Sequence, residues 1–319
     1  MSQTLNRIAI VGAGLSGLSC AAQLSRDGRE VRMFDKARGP GGRMSTRRVE
    51  TALGTVSFDH GAQYFTARGD SFRARVEAWI GAGLAAPWPS AGPEAWVGVP
   101  GMNAPVKAMA EAQSVAWNTL VEAIEPAGDA WRLRTPEGLS DPFDAVVLAL
   151  PAEQAAALLR DPDPGMSARA AASSTAPCWT VMAAFESRLD LEVDTLRDEG
   201  RLGWAARNSS KPGRQGPEAW VLQATPDWSR AHLEAPAETV IEALLGDLAR
   251  QMGTPLPDPV LVQAHRWRYA RSSVGQDLAL WSADRRLGCC GDWLSGPRIE
   301  CAWDSGEALA RLMTGVSGA

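Results

Sequence analysis

Lysine is nearly missing from this chain: only Lys36, Lys107 and Lys211 occur, and the remaining basic charge is arginine. Chemistry that depends on an activated lysine therefore has few candidates. Histidine is also scarce, and His60, His232 and His265 are too scattered for a metal-ligand pattern, so no metal site is expected. The cysteines Cys20, Cys178, Cys289, Cys290 and Cys301 are odd in number and contain no CxxC pair. That argues against a disulfide framework, a zinc ribbon and a disulfide reductase, and it fits a reducing cytoplasm. No run of about 18 apolar residues suggests a membrane span, and the polar start MSQTLNR lacks the apolar core of a signal peptide. The net charge of −5 comes without long blocks of one sign, which disfavours nucleic acid and anionic membrane as partners.

What is present is concentrated at the start. With 45% hydrophobic content in 319 residues, the chain can build one or two real cores. Arg7 to Arg43 opens with an apolar run, Ile8 to Val11, that leads directly into Gly12, Ala13, Gly14, Leu15 and Gly17. A helix-compatible stretch follows, then a second apolar run ending in Asp35. This is the pattern of a βαβ unit that binds an ADP moiety. Gly12 allows the tight turn, Gly14 lets the backbone approach a pyrophosphate, and Gly17 lets the helix pack closely on the strand. The helix N-terminus then faces the phosphates, and Asp35 can accept from ribose hydroxyls. Lys36, Gly42 and Arg43 follow within a few residues, and Arg43 offers a guanidinium fork for phosphate. A glycine turn with a solvated arginine is the plain alternative. The acid followed by Gly-Gly-Arg resembles the FAD-binding pattern of the flavin amine oxidase superfamily, so FAD is favoured over NAD.

The organisation expected from pattern is an α/β chain with a Rossmann-like domain and a second, mixed or antiparallel-sheet substrate domain. The first domain is read as residues 1–66, 105–155 and 270–319, and the second as 67–104 and 156–269. Ser114 to Ile124 and Ala130 to Thr135 read as a strand pair. Ala145 to Leu150 reads as a buried strand closed by Pro151. Trp179, Val181, Ala183 and Phe185 alternate along one strand face. Leu202 to Ala206, Trp220 to Ala224 and Val260 to Trp267 read as further strands. Ala237 to Met252 and Ile299 to Met313 read as helices, and Asn208 to Pro217 as a polar loop. No second GxGxxG follows a strand, which argues against separate docking of a reducing dinucleotide.

Several blocks narrow the reading: FDKARGPGGRMSTRR, FDHGAQYFTAR (Phe58 to Arg68), WVGVPGMNA (Trp96 to Ala104), ARNSSKP (Ala206 to Pro212) and GDWLSGPRIECAWDSG (Gly291 to Gly306). In this order, across nearly the whole chain, they resemble the bacterial renalases. The resemblance implies a p-hydroxybenzoate-hydroxylase-like FAD domain with a substrate domain over it. Cys289 and Cys290 read as buried strand residues, so the FAD is expected to be non-covalent, a flavin–cysteine link being the alternative. It implies oxidation of the 1,2- and 1,6-dihydro isomers of NAD(P) to NAD(P)+, with O2 as acceptor and H2O2 as product, serving metabolite repair. It also implies FAD contacts at Leu15, Asp35, Arg43, the Val121 backbone, Gly291, Asp292 and Ile299. Substrate contacts are implied at Gln63, Tyr64, Phe65, Thr66, Ala67, Trp179 and Arg298, with Trp96, Asn208 and His265 as weaker candidates. Pro297, just before Arg298, departs from the family pattern.

The chemistry implied needs no side-chain base. Removing hydride from a dihydropyridine leaves a pyridinium that is already cationic, so the protein has only to hold the ring and shape its surroundings. Two other readings stay open: a flavin amine oxidase acting on a small amine, and a non-catalytic FAD- or NAD-binding redox sensor. Against the first, none of the three lysines lies on a substrate-domain strand, where many amine oxidases place one. Trp179 on an apolar strand face and His265 on a strand are as readily core residues as ligands.

Overall fold

The computed structural model describes residues 5–197 and 200–315. Strand β1 (Arg7–Val11) is almost wholly buried and pairs in parallel with β2 (Glu30–Phe34), with α1 (Leu15–Arg26) crossing between them. Gly12 sits at φ +105°, and a Cβ there would lie 2.4 Å from the Ala149 carbonyl oxygen. A Cβ on Gly17 would lie 2.1 Å from the Gly12 carbonyl oxygen, so α1 rests directly on its own entry turn. The parent sheet runs β17 (Leu280–Ser282), β18 (Leu287–Cys289), β11 (Ala145–Leu148), β1, β2, β7 (Ser114–Ala116). All its pairs are parallel except β17 with β18. One sheet is thus built from four distant stretches of chain, with its central strands buried on both faces, as such sheets require.

Helices α3 (Ala104–Glu111) and α8 (Ile299–Thr314) lie against α1. The α1–α8 contact is close because Gly306 faces the Ser16 carbonyl, where a Cβ would come within 2.2 Å. Across the same contact the Ser19 hydroxyl donates to the Trp303 carbonyl at 2.9 Å. On the opposite side of the sheet lie α4 (Ala152–Leu159) and α5 (Pro164–Ala171), together with the antiparallel strands β8 (Ala123–Ala127), β9 (Ala130–Thr135) and β10 (Gly138–Leu139). The strand pair expected from Ser114 to Thr135 is therefore split: Ser114–Ala116 joins the parallel sheet, and 123–127 pairs with 130–135.

The second sheet is antiparallel, in the order β13 (Thr195–Leu196), β14 (Leu202–Arg207), β15 (Glu218–Ala224), β12 (Thr175–Phe185), β16 (Leu261–Ser272). Trp179, Val181, Phe185, Trp220 and Leu222 on one face pack on Val240, Leu244 and Leu248 of α7 (Ala237–Met252), beside α6 (Pro226–Ala231). The other face carries Met182, Ala184 and Val221. It rests on Val56 and Phe58 of the hairpin β3 (Thr46–Thr51) and β4 (Gly54–Asp59).

Two segments read as part of the substrate domain share the core of the dinucleotide-binding domain instead. In 67–104, Phe72, Val76 and Trp79 form one stripe of α2 (Asp70–Gly81), and β5 (Ala85–Pro87) pairs with β6 (Trp96–Gly98). That aromatic stripe is covered by Phe65 and by Trp303 of α8, in one cluster with Ile8, Ile10 and Leu18. Residues 156–171 likewise pack with Val146, Leu148 and Leu287. In each case an amphipathic helix follows the nearest apolar partner, and that partner lies far away in sequence.

Candidate active site

The groove at the carboxyl ends of β1 and β2 is built for a dinucleotide. No side chain caps the N-terminus of α1, so its first N–H groups are open to a ligand. An ideal Cβ on Gly14 meets nothing within 4 Å, whereas those on Gly12 and Gly17 collide with backbone. Gly14 therefore borders open space, where a phosphate can approach the chain. The second glycine turn closes toward it: Gly41 and Gly42 have φ +146° and +51°, and a Cβ on Gly42 would stand 3.8 Å from the Gly14 Cα. Asp35 is fixed at the groove by accepting from the N–H groups of Ala13 at 2.7 Å and Ala37 at 2.8 Å. Lys36 points away and reaches Gln154 at 3.4 Å. Val121 is buried in the core flanking the end of β2, near Phe34.

Arg43 and Asp292 are brought together by a two-pronged ion pair, with Nη1–Oδ2 at 2.7 Å and Nη2–Oδ1 at 2.6 Å. This pair joins the N-terminal glycine turn to the C-terminal Gly-Asp element across 249 residues. Gly291 donates its N–H to Ser305 Oγ at 2.8 Å, and Ile299 opens α8. Arg298 folds back onto Glu300 at 3.1 Å. The buried Glu300 accepts from the Arg68 and Gly69 N–H groups at 2.8 and 2.6 Å, at the N-terminus of α2. The C-terminal block and the end of the GAQYFTAR block are therefore held together by one carboxylate.

The segment 59–64 lies between this groove and the second sheet. A Cβ on Gly61 would lie 2.1 Å from the Arg43 carbonyl, and the Ala62 N–H donates to that same oxygen at 2.8 Å. From above, Gln223 Nε2 donates to the Gly61 carbonyl at 2.7 Å and Trp267 Nε1 to the His60 carbonyl at 2.9 Å. Strand register puts Trp204 opposite Gln223, Gln223 opposite Thr180, and Thr180 opposite His265. These side chains form a row across four strands on the face that looks down on 59–64.

Beneath the row is a buried ionic cluster. Asp59 is fully buried, and its Oδ2 receives Lys211 Nζ at 3.2 Å and the Arg214 guanidinium. Its Oδ1 accepts from Thr46 Oγ1 at 2.8 Å and the Met102 N–H at 2.9 Å. Burial alone would raise the Asp59 pKa, but the two cations and these donors hold it at about 2. Burial pushes Lys211 down to about 8, against the attraction of Asp59. Both stay predominantly ionised at neutral pH. Lys211 also donates to Gln63 Oε1 at 3.2 Å and lies 5.1 Å from the centre of the Trp88 ring. The polar loop read over Asn208 to Pro217 is partly buried: Asn208 and Lys211 are enclosed because their partners lie in 57–63.

The substrate candidates divide accordingly. Gln63, Tyr64, Asn208 and His265 gather around 59–64. The Gln63 amide is fully engaged, since its nitrogen donates to the Asp59 and Gly61 carbonyls while its oxygen faces Lys211. Asn208 Nδ2 donates to the Ser57 carbonyl at 2.8 Å. Tyr64 faces the site edge, 5.6 Å from the Trp204 ring, with its hydroxyl accepting from Arg197 at 3.1 Å. Thr66 and Ala67 are half-buried beyond it. Phe65 points into the aromatic core, and its backbone pairs with Trp96 at 2.8 Å in both directions. Trp179 is not brought to this group: it lies on the helix-covered face, its indole donating to the His232 carbonyl at 2.9 Å.

His60 and His265 meet edge to face at 5.1 Å, and His60 Nε2 is 3.4 Å from Ser45 Oγ. Burial, then His265 and Arg47, hold His60 down at about 4; burial and Arg47 lower His265 as well. Both imidazoles are neutral at pH 7. Sequence reasoning missed Thr180, Gln223, Trp204 and the Asp59 cluster. The row depends on strand register and the cluster on a partner 152 residues away, so neither leaves a local signal.

A parallel-cored sheet with a phosphate-binding turn, roofed by an antiparallel sheet, defines a two-domain FAD-dependent oxidoreductase. Residues 10–77 match the NAD(P)-binding Rossmann-like domain, and residues 90–314 match flavin containing amine oxidoreductases. The chain belongs to the flavin containing amine oxidoreductase family. The zeta-carotene-forming phytoene desaturase of Myxococcus xanthus is 48% identical over 44 residues, a match that spans 14% of this chain and only 8% of that enzyme. Three solved structures share the fold. A putative protoporphyrinogen oxidase from Exiguobacterium sp. 255-15 has TM-score 0.77 and 13% identity over 98% of this chain and 100% of its own. The cyclohexylamine oxidase of Brevibacterium oxydans IH-35A has TM-score 0.72 and 12% identity, over 98% and 99%. A redesigned putrescine oxidase has TM-score 0.73 and 14% identity, over 98% and 100%.

FAD, the family's cofactor, fits the residues present: a bare helix N-terminus, open space at Gly14, a ribose-ready Asp35 and the Arg43–Asp292 pair beside the flavin turn. Among the described residues no His, Cys, Asp and Glu group has the make-up of a metal site. No helix there is long and apolar enough to cross a membrane.

Proposed function

We propose that this protein oxidises the 1,2- and 1,6-dihydro isomers of NAD(P) to NAD(P)+, with dioxygen as final acceptor and hydrogen peroxide as product, in metabolite repair. One observation carries the reading beyond the motif resemblance. The side chains gathered around 59–64 are neutral or cationic: Gln223, Trp204, Tyr64 and two neutral imidazoles, with Arg197 and Arg47 at either end. The one carboxylate beneath them, Asp59, is shielded by Lys211 and Arg214. Such a lining suits an uncharged dihydropyridine on a phosphate-bearing tail and disfavours a cationic amine.

Bound FAD would supply the hydride acceptor and the two-electron route to dioxygen. The side chains do the remaining work. Tyr64 and Trp204 pack on each other and offer one aromatic edge to a planar ring, and Gln223 anchors the 60–62 backbone beside them. The neutral ring loses hydride and becomes a cationic pyridinium, so no residue has to receive a proton from it. FAD contacts at Gly12 to Leu15, Gly17, Asp35, Gly42, Arg43, Val121, Gly291, Asp292 and Ile299 remain part of the proposal, whereas Lys36, turned to Gln154, keeps only its backbone for the cofactor. A cytoplasmic location is likewise part of the proposal.

The burial of Lys211 beside Gln63 supports a second reading, oxidation of a small amine. Anaerobic mixing with 1,2-dihydro-NAD, 1,6-dihydro-NAD and a panel of amines separates the two. Rapid flavin bleaching by the isomers and not by amines is expected; bleaching by an amine alone overturns the reading.

A further inference from the structure

Arg47 stands where the hairpin β3–β4 meets the β16 edge of the second sheet, paired in register with Phe58. It is half-buried, and among the described residues its hydrogen bond goes to Gln263 Oε1 at a long 3.4 Å. Other arginines around the second sheet are matched with carboxylates: Arg43 with Asp292, Arg207 with Glu218, Arg214 with Asp59, and Arg266 and Arg268 with Glu234. Arg47 has no such partner among the described residues. A partly desolvated guanidinium without a counter-ion is costly, and an arriving anion would relieve that cost.

The surroundings are suited to one. His265 is close enough to Arg47 for the guanidinium to disfavour its protonation, and His60 packs against His265. Neutral imidazoles still donate an N–H to an anion. The cluster lies at one end of the row Trp204–Gln223–Thr180–His265. Adjacent strands are about 4.8 Å apart, so Gln223 and His265 are separated by roughly 10 Å. A ribose 5′-phosphate is long enough to cover a distance of that order.

We propose that Arg47, with the His265 imidazole and the Gln263 amide, forms an anion subsite that takes the phosphate nearest the reacting ring, making the enzyme selective for nucleotides over nucleosides. This rests on the dihydronicotinamide reading above. The test is anaerobic stopped-flow reduction by 1,2-dihydronicotinamide riboside and by its 5′-phosphate, read as the ratio of their apparent dissociation constants. A charge-assisted contact predicts that the wild type favours the phosphate by about 10- to 100-fold. In Arg47→Gln the ratio falls toward one, Arg47→Lys retains part of it, and Gln263→Leu lowers it. A wild type without preference, or an unchanged ratio in Arg47→Gln, overturns the subsite. If neither compound reduces the flavin, the dihydronicotinamide reading fails by itself. The subsite is then judged by whether inorganic pyrophosphate perturbs the flavin absorbance. A perturbation lost in Arg47→Gln supports it, and none in the wild type overturns it.

Discussion

At the scale of single residues, Asp59 is the hinge of the site. It lies one residue before His60, and its carboxylate is reached from three directions: Thr46 and Met102, Lys211, and Arg214. Removing its charge leaves two buried cations without an anion, a change that ordinarily costs about 3–5 kcal/mol. Asp59→Asn is therefore expected to lower the unfolding free energy in urea by that order at pH 7. The pH dependence has a definite sign. The carboxyl has a folded pKa of about 2, against 3.8 as the ordinary value, so its contribution is present above pH 4 and is lost as pH falls toward 2. That loss amounts to roughly 2 kcal/mol, from about 1.4 kcal/mol per pKa unit. Unfolding curves between pH 5 and 2 should show this component in the wild type and not in Asp59→Asn. Lys211 behaves oppositely: with a folded pKa of about 8 against 10.5, the penalty for burying its ammonium is present below pH 8 and fades as pH rises to 10.5.

Among the elements, α1 separates folding from cofactor binding in two neighbouring glycines. Gly12→Ala forces a side chain into φ +105° and against the Ala149 carbonyl, so it should cost stability with or without FAD. Gly14 has an ordinary φ of −77° and free space beside it, so Gly14→Ala should leave the apoprotein within about 0.5 kcal/mol of wild type. Its cost should appear as lost flavin, measured by the ratio of absorbance at the flavin band to that of the protein. Equal loss of apoprotein stability in both variants would mean that Gly14 serves the fold alone. The βαβ unit and α7 were legible in the sequence because their signals are local: glycine spacing, an apolar run, a helical period. Ala237–Met252 is a helix over the very residues that its pattern marked. The site was legible only in part. Lys211 looks solvated in a loop of Ser, Gly and Pro, and nothing local reveals a carboxylate 152 residues earlier. Gln223 and Thr180 become neighbours of 59–64 only through the register of β12 with β15, and Trp179 turns away from the site by the same alternation.

Across the whole molecule, the blocks that carry the resemblance prove to be one another's partners. Arg43 holds Asp292, Glu300 holds Arg68 and Gly69, and Asp59 with Ser57 holds the loop of Asn208, Lys211 and Arg214. The first two clamps lie inside the dinucleotide-binding domain, and the third joins it to the second sheet. FAD binding at the groove should therefore stabilise both domains together through 59–64. Flavin at 100 times its dissociation constant adds about 2.7 kcal/mol to whatever unfolds with the site. Calorimetry of the wild type is expected to show one transition, raised as a whole by FAD. In Asp59→Asn the ionic clamp is gone while the contacts from Gln223, Trp267 and Asn208 remain, each an ordinary hydrogen bond of about 1 kcal/mol. Those contacts are too weak to hold two cores of this size in one cooperative unit. The variant should then melt in two steps, of which only one moves with FAD. A single FAD-dependent transition in Asp59→Asn would transfer the coupling from the ion cluster to the apolar contact of Val56 and Phe58 with Met182 and Val221.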